Sequence, residues 1–251
     1  MTSGITAMIL DLDGVITHTA KLHSLAWKQL FDTYHQKLLA RGQPGYPDFT
    51  ERDYHLYVDG KPRQNGVQDF LESRGISLPM GDHEDSPDQE TLHGLANLKN
   101  TFFAAALEQQ GPEVFPDAVE ALHQWRKQGL KLAVASSSKN CKEVLEIAKL
   151  EHFFDARIDG THLQLWDMPG KPAPDMFLAA ASALEVAPEH AAVIEDAISG
   201  IQAAAAGQFG LVIGVARFGA GKEPLRNAGA HLVVTRLTEI SLENAPVQNA
   251  G

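Results

Sequence analysis

From residue 113 onward, short apolar runs alternate with amphipathic or Ala-rich stretches, and few folds accept that grammar. Residues 130–135, 156–159, 191–194, 211–215 and 231–234 read as buried strands. Between them, residues 117–128 (closed by Gly129), 142–149, 175–184 and 198–206 (closed by Gly207) have helical spacing. Strands separated by helices must pair in parallel, so the expected class is α/β: a Rossmann-like parallel sheet with helices on both faces. One earlier run, residues 5–12, has the same buried-strand character and is stopped by Gly14. The intervening segment reads as helices at 19–35, 53–58, 65–74 and 92–109, with Pro- and Gly-rich or acidic loops between them and a turn at Asp59-Gly60. No convincing strand falls in 17–110. The expected organisation is a catalytic core of residues 1–16 and 113–251, with a helical cap, 17–112, inserted after the first strand. An insertion there suits a lid over the sheet's carboxyl edge, where open α/β sheets bind ligands.

Composition excludes several classes. The net charge is -11 and no basic run exceeds two residues, so nucleic acid is not an expected partner. The single cysteine, Cys141, cannot form an intrachain disulfide and suits a reducing compartment. The first residues lack a basic and apolar leader pattern, and no stretch is long and apolar enough to span a membrane, so the expected location is cytoplasmic. Residues from about 244 read as a polar tail.

Polar clusters end the apolar runs. Asp11 and Asp13 stand two apart, on one side of a strand, at its carboxyl end. Two such carboxylates repel unless a cation or a shared proton intervenes. Ser136 follows the run 130–135, and its hydroxyl with the next N–H groups suits a phosphate oxygen, although one of Ser136, Ser137 and Ser138 is expected to cap the next helix. Lys171 precedes Pro172 and Pro174, which stiffen its loop. Glu195 and Asp196 end another strand. Together these groups fit phosphoryl transfer. Asp11, Asp196 and the backbone carbonyl of Asp13 suit Mg²⁺, which prefers a few oxygen ligands completed by phosphate and water. With Lys171 and Mg²⁺ offsetting charge, Asp11 becomes the nucleophile and Asp13 the acid/base. In the helical segment, His23 and Trp27 share a helix face, and Lys61 and Arg63 are either solvated charges or arms toward an anion. Thr17 or Thr19 would cap the helix that carries His23.

The order D-x-D-G-V, Ser after a strand, K-P-x-P-D and then E-D resembles the haloacid dehalogenase superfamily. The resemblance implies Asp11 as nucleophile, Asp13 as acid/base, Ser136 and Lys171 on the transferring phosphoryl group, Asp196 on the metal, and Glu195 as a ligand or an outer partner. The stretches Asp13-Gly14-Val15-Ile16-Thr17, Thr19-Ala20, His23, Trp27, Ser136-x-Ser138-Lys139-Asn140 and Lys171-Pro172-Ala173-Pro174-Asp175 are similar to the β-phosphoglucomutase subgroup. That similarity implies Arg63 as grip for the remote phosphate and Lys99 as the cap lysine. It also implies Ser138 and Asn140 near the distal phosphate, and His23 as a link between cap closure and proton transfer. His18 departs from the Asp of many relatives, and the loops 41–50 and 77–90 are longer than in compact mutases.

The implied function is Mg²⁺-dependent interconversion of β-glucose 1-phosphate and glucose 6-phosphate through a bisphosphate. The alternative is a phosphatase of a hexose or disaccharide phosphate. Either way the partner is a small sugar phosphate, and the chain is expected to act as a monomer.

Overall fold

The computed structural model describes residues 4–58, 61–217 and 221–242. The expected turn at Asp59-Gly60 and the expected polar tail from 244 lie outside the described residues. The chain forms two compact units, one of residues 1–19 with 112–251 and one of residues 20–111.

The first unit contains β1 (Ala7–Leu10), β2 (Thr17–His18), β3 (Glu113–Val114), β4 (Lys131–Ala135), β5 (Ala156–Ile158), β6 (Ala191–Glu195), β7 (Leu211–Val215) and β8 (Leu232–Val234). Six of these form one sheet in the order β5-β4-β1-β6-β7-β8, every pairing parallel. The central strand β1 has no exposed residue, which explains why its sequence is an unbroken apolar run. The chain runs outward from β1 through β4 and β5, then restarts on the other side at β6, so the switch in direction lies beside β1. Leu10 is paired with Val134 of β4 and Ile194 of β6. One residue further on, Asp11 and Glu195 therefore leave the sheet side by side. Phe177, Met176 and Ala180 of the helix Asp175–Ala183 pack with Ile9, Ala133 and Val193 in the core on one face.

The strands β2 and β3 pair antiparallel, Thr17 with Val114 and His18 with Glu113. This corrects the reading of 17–110 as strand-free: Thr17 and His18 are extended and belong to the sheet-bearing unit. Two residues are too few to show an alternating pattern, so the ribbon was invisible in sequence. The helix Gly160–Leu165 was also missed; Asp159 starts it, accepting from the Thr161 N–H at 2.9 Å.

The second unit packs the helices Ala20–Ala40, Arg63–Ser73 and Leu92–Gln110 around an aromatic core. Phe31 lies against Phe70 and Trp27, with ring centroids 3.9 and 5.5 Å away. Thr91 caps the last of these helices through the Gly94 N–H at 2.9 Å. Between the first two, Thr50 and Asp53 form a reciprocal capping box that opens a short helix continued by a π-helical turn, Tyr54–Val58.

Candidate active site

In the sheet-bearing unit, the lysine of the K-P-x-P-D stretch reaches the first strand. Lys171 Nζ donates to Asp11 Oδ1 and to Glu195 Oε1, the latter at 2.5 Å. It lies 5.0 Å from the centroid of the Phe177 ring, so the ammonium has an aromatic floor. Glu195 has its other oxygen, Oε2, on the Ala197 N–H at 2.7 Å. Both Glu195 oxygens are thus engaged, which makes this side chain the fixture that orients Lys171. Burial opposes the Lys171 charge, but Asp11 and Glu195 outweigh it and drive its pKa upward.

Burial raises the Asp11 pKa to about 7, with Lys171 pulling it down and Glu195 and Asp13 pushing it up. Burial raises Asp196 to about 8, again reinforced by Glu195 and Asp11. Lys171 pairs with two carboxylates, Asp11 and Glu195, while Asp13 and Asp196 lie near enough to push the Asp11 pKa up or be pushed up themselves, and such crowded negative charge is what a hard cation would neutralise. Gly14 brings Asp196 close: its φ is +81°, and a Cβ there would fall inside the Asp196 carboxylate. Gly200, which the sequence reading passed over, does the same for Glu195. Among the described residues no three His, Cys, Asp or Glu side chains converge into a ready-made metal cage. Mg²⁺ takes only a few protein oxygens and completes its shell with water and phosphate, and Asp11, Asp196 and the Asp13 carbonyl would offer such oxygens. The residues fit the ion.

The raised carboxyls carry a sign that can be checked. A group whose folded pKa exceeds its unfolded value stabilises the fold below the unfolded pKa, and that stability is lost as pH rises through the folded pKa. For Asp11 the window runs from its ordinary 3.8 to about 7, and for Asp196 from 3.8 to about 8. Protein stripped of metal is expected to melt at a lower temperature at pH 8 than at pH 5, and added Mg²⁺ to raise the pH 8 value more than the pH 5 value. Melting curves with chelator and with Mg²⁺ measure this; a Mg²⁺ effect equal at both pH values speaks against Asp11 and Asp196 as ligands.

Asp13 points elsewhere. Its Oδ1 accepts from Thr17 Oγ1 at 3.3 Å and from Thr19 Oγ1. Both threonines are buried. Thr17 and Thr19, both expected as candidate caps, instead place their hydroxyls on Asp13. Asp11 and Asp13 therefore stand in different surroundings: the first carboxylate is bound to an ammonium, the second to neutral hydroxyls.

Ser136 is buried at the end of β4, its N–H bonded to Ile158 O at 3.0 Å. Its Oγ accepts from the Ser138 N–H, and Ser138 Oγ from the Asn140 N–H, both at 3.2 Å. None of Ser136, Ser137 and Ser138 is the cap of the next helix, contrary to expectation. That helix begins at Cys141 with Asn140 before it. The serines instead brace the loop on itself and leave Ser137 exposed.

In the helical unit, residues from three helices meet. Lys99 is almost fully buried, and its Nζ lies 2.6 Å from His23 Nδ1. Burial lowers the His23 pKa well below the ordinary value, and the Lys99 and Arg63 cations lower it further. Both effects favour the neutral imidazole. His23 stacks on Phe103 at 4.3 Å, a contact the sequence did not suggest, and Lys99 sits 5.3 Å from the Trp27 ring centroid and 4.9 Å from that of Phe103. Arg63 opens its helix directly after Pro62, and its buried Nη1 has no hydrogen-bond partner among the described residues. An orphaned guanidinium nitrogen is costly to bury and fits an anion better than it fits packing.

A family model described as haloacid dehalogenase-like hydrolase matches residues 5–208. The chain belongs to that family, within its β-phosphoglucomutase-like subgroup, and it is an enzyme. It is 44% identical over 239 residues to a β-phosphoglucomutase of Mycobacterium bovis, covering 94% of this chain and 91% of that one. A β-phosphoglucomutase of Bacillus subtilis is 34% identical over 239 residues, covering 94% and 92%. The crystal structure of β-phosphoglucomutase from Clostridium difficile superimposes with a TM-score of 0.71 at 26% identity, covering 94% of this chain and 93% of that one. Among the described residues no helix is long and apolar enough to cross a membrane.

Proposed function

We propose that this enzyme interconverts β-D-glucose 1-phosphate and glucose 6-phosphate through the 1,6-bisphosphate, using an aspartyl-phosphate on Asp11, as a cytoplasmic monomer. The observation that carries the reading is the pairing of Lys171 with Asp11 and Glu195, together with the orphaned Arg63 nitrogen in the helical unit. The first supplies a charge-balanced nucleophile. The second supplies a grip for another phosphate, which a mutase needs and a simple phosphatase does not. The names of the 44% and 34% identical relatives support the same substrate.

In this reading Asp11, Asp196 and the Asp13 carbonyl hold Mg²⁺, which when bound lowers the charge barrier between carboxylate and phosphate. Lys171 orients the Asp11 carboxylate and offsets its charge. An Asp11 oxygen forms a bond to the phosphorus at C1 of the bisphosphate as the bond from that phosphorus to the sugar oxygen breaks, Asp13 gives its proton to the departing oxygen, and glucose 6-phosphate leaves. In the other half-reaction the 6-hydroxyl of a β-glucose 1-phosphate attacks the aspartyl-phosphate, Asp13 takes its proton, and the bisphosphate is formed again as Asp11 is freed. Ser136 and the N–H groups of Ser137 and Ser138 bind the transferring group, with Gly14 allowing close approach. Thr19 holds Asp13; within the helical unit Arg63 is the cation proposed for the second phosphate, with His23 and Lys99 beside each other and Trp27 packed against Phe31.

The test incubates the protein with Mg²⁺ and β-glucose 1-phosphate, with and without a trace of bisphosphate, and measures glucose 6-phosphate against free phosphate. Isomerised product that depends on the bisphosphate is expected; release of mainly free phosphate assigns a phosphatase instead. Arg63→Ala is expected to lower mutase kcat/KM by about 100-fold or more, the loss of a charge-assisted bidentate contact. Hydrolysis of a small monophosphate is expected to stay within a few-fold. Mutase activity that survives this substitution removes Arg63 from the second grip.

A further inference from the structure

Arg217 has no part in the phosphoryl chemistry above, yet it is buried and both of its terminal nitrogens are hydrogen-bonded. It follows β7, and its side chain is 8% exposed. Nη1 and Nη2 donate to the two oxygens of Asp117, both at 2.8 Å. Nη2 also donates to Val15 O at 3.2 Å, and the guanidinium covers the Phe115 ring, 4.1 Å from its centroid. Asp117 Oδ2 accepts in addition from the Leu237 N–H at 2.7 Å. One cation thus joins four places: the turn after β1, the start of the helix Pro116–Lys127, the exit of β7 and the segment after β8.

What these contacts hold is the turn that carries Asp13. Gly14 N–H bonds Thr17 O at 2.7 Å, and the Ile16 and Thr17 N–H groups bond Leu12 O at 2.9 Å. Ile16 O accepts from the Phe115 N–H at 3.0 Å. Arg217 therefore grips the turn twice, directly at Val15 and through the Phe115 ring beneath it. The hydroxyls of Thr17 and Thr19, on the same turn, fix the Asp13 carboxylate. A buried ion pair is a poor source of net stability, since apolar residues of similar volume would pack as well. Its worth here is directional: a planar fork holds four acceptors, the two Asp117 oxygens and the Val15 and Thr235 carbonyls, in fixed positions.

We propose that Arg217, locked by Asp117, is a positioning residue for the acid/base Asp13. The inference rests on the phosphoenzyme reading of Asp11 and Asp13. A positioning role predicts loss only where a proton must be transferred. The leaving alkoxide of a sugar phosphate needs a proton; the leaving acetate of acetyl phosphate does not. The experiment compares wild type with R217M, R217K and D117N in two reactions: turnover of β-glucose 1-phosphate, and the rate at which acetyl phosphate phosphorylates Asp11.

In R217M, kcat on the sugar phosphate is expected to fall by about 10- to 100-fold with KM within about twofold, the scale of a misplacement near 1 Å. Phosphorylation by acetyl phosphate is expected to stay within about twofold. R217K keeps a single donor point and is expected to fall between wild type and R217M. If R217M does not fold, D117N and R217K carry the same comparison. An equal loss in both reactions, or no loss in either, overturns the positioning role. A wild-type protein that takes no phosphate from acetyl phosphate overturns the phosphoenzyme reading and this inference with it.

Discussion

Replacing Asp11 with Asn is expected to abolish turnover, by about 10⁵-fold or more, while leaving the fold at least as stable. An amide oxygen carries no charge to attack phosphorus, so no aspartyl-phosphate forms. The structural cost is small, because Lys171 keeps Glu195 at 2.5 Å and Glu195 keeps the Ala197 N–H. The Asp11 carboxyl is held at about 7 by burial, so its charged form is disfavoured in the metal-free fold. A neutral amide relieves that cost at pH 8, and the melting temperature without metal is expected to hold or rise. Steady-state turnover and covalent labelling by a phosphoryl donor measure the first part, and thermal melting the second. Label appearing on the Asn variant would remove Asp11 as nucleophile.

Asp13→Asn is expected to lower kcat by about 10²- to 10⁴-fold, the range for a lost general acid/base. The amide oxygen still accepts from Thr17 and Thr19, so the turn is expected to keep its shape. The backbone carbonyl is untouched, and Mg²⁺ affinity, read by titration calorimetry, is expected to stay within about threefold, since a main-chain ligand survives a side-chain change. Phosphorylation by acetyl phosphate is expected to persist, followed by a phosphoenzyme that transfers to sugar slowly, because no base takes the hydroxyl proton. A variant with ordinary turnover ends the acid/base assignment, and one that loses Mg²⁺ moves the carboxylate of Asp13 into the metal site.

The helices 198–206 and 92–109 and the strand 211–215 were legible because each is long or apolar enough for its period to show. The ribbon of Thr17–His18 with Glu113–Val114 was not, since its stability comes from pairing across a large gap in sequence. One of Ser136 to Ser138 was the expected cap of the helix at 142–149, whereas their loop closes on itself and the helix starts at Cys141 with Asn140 before it. Gly200 gave no signal at all; only the Glu195 carboxylate pressed against it shows why a side chain there is excluded.

Sequence by itself determined the parallel sheet, the helical insertion and the identities of Asp11, Asp13, Ser136, Lys171, Glu195 and Asp196, because strand ends and residue chemistry are local properties. Tertiary structure alone decided how those charges are shared. The register of β1 against β6 sets Asp11 beside Glu195, and Lys171, distant in sequence, closes between them. The turn after β1 gives Asp13 to Thr17 and Thr19 instead. Electrostatic energies depend on distance and burial, and neither is written along the chain.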